Sequence, residues 1–93
     1  MHYYIITASW HESQDVIQSL INPFATPNNF AILYNSDPEI DRVYIAAADK
    51  RMILAMKSEF ELEETDSIDY GRDFMTSSNR QWGVIGNRSL VNF

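Results

Sequence analysis

The sequence predicts an α+β fold: two layers, with a mainly antiparallel sheet of about four to five strands and one or two helices packed on one of its faces. Three observations carry this. Short apolar runs of strand length recur along the chain, one segment has a complete helix-start signature, and another is built of strong helix formers. The expected order is β, α, β, β, α, β, β, and 93 residues leave room for one domain spanning 1–93.

Residues 2–8 (HYYIITA) are aromatic and β-branched on both alternating faces, as expected of an interior strand. Ser9 followed by Glu12 forms a capping box, in which the Ser hydroxyl accepts from the third helical N–H. Val16, Ile17, Leu20 and Ile21 then share a stripe, and Asn22-Pro23 stops the run, which places a helix over residues 10–21. Residues 24–29 (FATPNN) read as a loop and Phe30 to Tyr34 as a strand. Asn35-Ser36-Asp37-Pro38 is turn chemistry, so Arg42 to Ile45 is expected to be the returning strand.

Between Ala46 and Phe60 the preferred reading is a second helix, with Met52, Met56 and Phe60 at i, i+4 and i+8. A hairpin looping at Asp49-Lys50 is the rival, because short apolar runs cannot be typed by period alone. At the far end, Gly86-Asn87 between two apolar runs predicts a type II′ hairpin in which Val84 opposes Ser89 and Trp82 opposes Val91. Trp82, Val84, Val91 and Phe93 would then share a core face. Residues 64–80 read as a long, polar, irregular connection.

Much chemistry is excluded by composition. The chain has no cysteine, so disulfides, thiolate zinc sites and cysteine nucleophiles are ruled out. His2 and His11 have no ligand-spaced partner, and the three glycines form no phosphate-binding loop. Asp37, Glu39 and Asp41 mimic the opening of a calcium loop, but Arg42 and Ala48 stand where that loop requires Gly and Glu. The expectation is a protein that is not an enzyme and uses no metal or cofactor. Met1 to Ala8 lack the charged and apolar regions of a secretion signal, and no run approaches a bilayer span, which points to a cytoplasmic protein without membrane contact.

Charge is the most informative feature. The net charge is −6, and it is unevenly placed. Residues 42–58 hold four bases and one acid, whereas residues 59–73 hold seven acids and one Arg. Such a chain repels nucleic acid and favours basic protein surfaces. The dense run is Glu59, Glu61, Glu63, Glu64, Asp66, Asp69 and Asp73, with Tyr70 and Phe74 interleaved. On an extended segment, Glu59, Glu61 and Glu63 would project from one face about 6.6 Å apart. A row of this kind can meet Lys and Arg in a groove built for a phosphate backbone, with Tyr70 as a desolvated anchor. The composition points by analogy to a stoichiometric inhibitor of a nuclease or defence complex, of the anti-restriction, anti-CRISPR or immunity type. Two readings compete with it: a small accessory or regulatory interaction domain, monomeric or homodimeric, whose acids only keep it soluble, and, ranking well below both, a small acid/base enzyme built on a carboxylate pair.

Overall fold

The computed structural model describes residues 1–69 and 82–92. Five antiparallel strands form one sheet: β1 (His2–Thr7), β2 (Phe30–Asn35), β3 (Arg42–Ala47), β4 (Leu62–Thr65) and β5 (Trp82–Gly86), in spatial order β4-β1-β3-β2-β5. Two helices, α1 (Trp10–Ile21) and α2 (Lys50–Lys57), cover one face. The α+β class and the antiparallel sheet are as the sequence predicts.

Period-two alternation explains why β3 is central. Val43, Ile45 and Ala47 point toward the helices and pack with Trp10, Ile17 and Ile21 of α1 and Met52, Ile53 and Met56 of α2. Tyr44 and Ala46 point the other way, joining Ala31, Leu33, Ile68 and Val91. The second face is therefore not open: Ile68, 1% exposed, covers it from a segment read as irregular, and the Asn92 amide donates to the Ile68 carbonyl at 2.8 Å. Each fully buried aliphatic side chain contributes about 1.5–3 kcal/mol. Two small cores, one on each face, thus clamp the same three inner strands.

Helix α1 begins as predicted, with the Ser9 hydroxyl accepting from the Glu12 amide at 3.2 Å. Its stripe buries Ile17 and Ile21, half-buries Leu20 and leaves Val16 42% exposed. Trp10 is buried and stacks on Tyr34 of β2, ring centroids 4.8 Å apart.

Helix α2 is a helix rather than a hairpin, but a shorter one than the 46–60 run. Ala46 and Ala47 belong to β3, paired with Tyr3 and His2 on one side and with Ala31 and Phe30 on the other. The Asp49 carboxylate starts the helix by accepting from the Arg51 amide at 2.9 Å. The Arg51 guanidinium also binds that carboxylate, at 2.6 Å, and holds its pKa down at about 2. Phe60 lies beyond the helix end, yet its side chain still packs on the helix-side core.

The C-terminal hairpin does not form. Trp82 pairs with Asn35 and Val84 with Leu33, both on β2, while Arg88–Leu90 is a 3₁₀ turn capped by the Asn87 side chain. Gly86 adopts a positive φ of 91°, as a turn glycine would. That conformation redirects the chain past Phe30, whose carbonyl accepts from the Asn87 amide at 2.8 Å, instead of folding it back on itself. The predicted shared face survives in another form, since Trp82, Val84 and Val91 all join the second core. Phe93 lies outside the described residues.

Candidate functional site

The acidic run falls on one border of the sheet. β4 is an edge strand whose neighbour among the described residues is β1, with Ile6 opposite Leu62, Ile5 opposite Glu63, Tyr4 opposite Glu64 and Tyr3 opposite Thr65. The Thr7 amide extends this pairing by donating to the Glu61 carbonyl at 3.1 Å. The strand forms here because Leu62 continues the helix-side core between Phe60 and Ile6, while β1 offers an otherwise unpaired ladder of main-chain groups.

The single row of Glu59, Glu61 and Glu63 is not realised. Glu59 sits in the turn closing α2, where its amide donates to the Met56 carbonyl, and not on an extended segment. Glu61 and Glu63 lie on the face away from the helices, and Glu64 lies with Leu62 on the helix side, because alternate residues of a strand face opposite ways. Glu59, Glu61, Glu63, Glu64 and Asp66 are nonetheless all exposed, and none makes an ion pair with a described residue. Asp69 is half-buried and bridges to Asn92, so it belongs more to the second core than to the acidic border. Tyr70 and Asp73 lie outside the described residues, as does Phe74.

Around this border the surface is uneven in charge. Glu59 shares a cleft of about 410 Å³ with Glu12, where Ser9, Val16 and Phe60 form part of the wall. Nothing in the sequence connects Glu12 with the run, because the two carboxylates are brought together only by the packing of α1 against the turn after α2. On the helix side of the border, Tyr4 shares a smaller hollow of about 230 Å³ with Lys50, Ile53, Leu54 and Lys57. Burial raises the pKa of the Tyr4 phenol, and the neighbouring Glu64 carboxylate raises it further. The border is therefore acidic at the strand and basic along α2.

Among the described residues no three His, Asp or Glu side chains gather into a metal-binding group, and no helix is long and apolar enough to cross a membrane. His2 is half-buried in β1, and His11 is exposed on the first turn of α1. The Asp37, Glu39 and Asp41 segment is a turn held by side chains that bond its backbone: the Asn35 side chain accepts from the Asp37 amide and the Asp37 side chain from the Glu39 amide, at 2.8 and 2.9 Å. The arrangement at β4 can do two things chemically. It presents carboxylates that make no ion pair with a described residue, and it presents a strand edge. No protein-family model matches the chain, and comparison with curated proteins and with solved structures gives no match.

Proposed function

We propose that this chain is a small, non-catalytic acidic protein that binds and inhibits a nucleic-acid-handling partner, a nuclease or a defence complex, by presenting carboxylates to a basic groove. The supporting observation is the cluster of exposed carboxylates, Glu59, Glu61, Glu63, Glu64 and Asp66, none ion-paired with a described residue, along one border of a sheet whose two faces are both packed. A groove that evolved to hold phosphates is lined with Lys and Arg, and a cluster of carboxylates along one border satisfies those groups while denying them to nucleic acid. Steering by such charges acts mainly on the rate of encounter and is screened over about 8 Å at physiological salt.

Affinity capture from lysates of the source organism and its host, with the mass of the complex in solution, identifies the partner. Reversing Glu61 and Glu63 to Lys is then expected to lower the association rate at low salt by about tenfold or more, and rising salt is expected to erase much of the difference. Stopped-flow association at several salt concentrations measures this. Unchanged association of the double reversal at both low and high salt would sink the proposal. The competing accessory-domain reading draws on Leu54, 64% exposed beside Lys50 and Lys57. It predicts a partner whose binding responds to Leu54 and ignores Glu61 and Glu63.

A further inference from the structure

We infer that the outer edge of β4 is a docking site for a basic segment in extended conformation, which adds to the sheet as a further strand. The inference rests on the reading that the partner is basic, and it specifies how that partner is held.

The geometry of the ladder shows which groups are available. In an antiparallel pair, residues that exchange main-chain hydrogen bonds alternate with residues that do not. The bond from the Thr7 amide to the Glu61 carbonyl puts Glu61 in the first set, and the register carries Glu63 and Thr65 with it. The N–H and C=O groups of Leu62 and Glu64 therefore point away from β1. No described residue bonds to them. An incoming strand would take its main-chain hydrogen bonds from these two residues and place alternate side chains against Glu61 and Glu63 on one face and against Leu62 and Glu64 on the other.

Charge selects the occupant. A second copy of this chain would meet β4 across a two-fold axis, pairing outward-pointing residues with each other. If Leu62 faces Glu64, then Glu63 faces Glu63; if Leu62 faces Leu62, then Glu61 faces Glu63; and the remaining choice sets Glu64 against itself. Every such register opposes carboxylate to carboxylate, which is destabilising. Charged edges of this sort block self-association, and a Lys- or Arg-bearing strand reverses the sign of each cross-strand pair. The opposite border offers no such selection, because β5 (WGVIG) carries no charge.

The probe is a blocked six-residue Lys-Val repeat, compared with a Lys-Pro repeat of equal charge, which lacks the N–H of every second residue and favours the three-fold polyproline II conformation, so that its remaining N–H groups do not line one strand edge. Amide NMR spectra of the ¹⁵N-labelled chain are expected to show the Lys-Val peptide shifting the Leu62 and Glu64 amides and slowing their hydrogen exchange, with affinity about tenfold above that of the Lys-Pro peptide. Glu64→Pro removes one outward N–H without touching the bonds to β1, and is expected to erase that tenfold preference. Glu64→Gln keeps the N–H and is expected to retain it. Equal binding of the two peptides by the parent chain, which requires no variant to fold, would overturn strand addition. So would a dimer mass for the free chain that Glu64→Pro converts to a monomer. If the Glu61 and Glu63 reversal abolishes binding of both peptides while the parent chain binds them equally, charge docking stands and strand addition fails; if neither the reversal nor Glu64→Pro alters binding, both fail.

Discussion

Ile45→Ala is expected to lower the unfolding free energy by about 2–5 kcal/mol, against a total of about 5–15 kcal/mol for a domain of ordinary stability. Ile45 is fully buried at the middle of the central strand, opposite Tyr4 on β1 and Ile32 on β2, and packs into the core under both helices. Removing its outer carbons leaves a cavity that strands paired on both sides cannot close. In a domain of this size the loss corresponds to a fall in melting temperature of roughly 10–30 °C. Leu54→Ala, at a position 64% exposed on α2, is the matched control and should change stability by less than about 0.5 kcal/mol. Urea unfolding of the two variants tests the contrast, and equal midpoints would show that the helix-side core is not where the fold gains its stability.

Gly86→Ala is expected to be the most damaging single-methyl addition among the glycines described. Gly86 has a φ of 91°, and a Cβ there would stand 2.5 Å from the Phe30 carbonyl oxygen. Backbone strain of this kind costs about 1–3 kcal/mol, and relief would pull the same carbonyl away from the Asn87 amide it accepts from. Gly83 is crowded differently: its added Cβ would meet the Tyr34 hydroxyl at 2.6 Å, the far end of a side chain. Tyr34 can give way there by loosening its stacking on Trp10, an interaction worth about 0.5–1.5 kcal/mol. Denaturant midpoints should therefore rank the parent chain above Gly83→Ala, and Gly83→Ala above Gly86→Ala. The reverse order would contradict the described path of the chain beyond β5.

These positions also show which features of the molecule are legible in its sequence. Helix α1 is legible end to end because its signals are local: a Ser cap, a stripe, and a Pro after the last turn. The conformation of Gly86 is legible for the same reason, but its consequence is not. Whether β5 pairs with residues just beyond Gly86 or with β2 depends on which strand has an open edge, and that is decided by residues far away in the sequence. Ala46 and Ala47 fit helix and strand about equally well by themselves, and only the strands on either side of β3 assign them. The acidic run is obvious as composition, yet its division between a turn, two faces of β4 and the second core follows from the register with β1.

The strand order sets the sequence in which the sheet can be assembled. Only β2 and β3 are neighbours both along the chain and in the sheet, joined through the short turn over residues 36–41. Every other pairing spans long stretches of chain: β1 must wait for β3 on one side and for β4 on the other, and β2 must wait for β5. Contacts between residues distant in sequence are slow to form because the chain entropy lost in closing the loop precedes any gain. The β2–β3 hairpin is thus the expected nucleus, and β1, the first strand in the chain, is expected to be among the last to gain both neighbours. Until Leu62–Thr65 arrives, the edge of β1 is an apolar one, so the segment that makes the finished border acidic also ends the period in which this chain is most open to pairing with another.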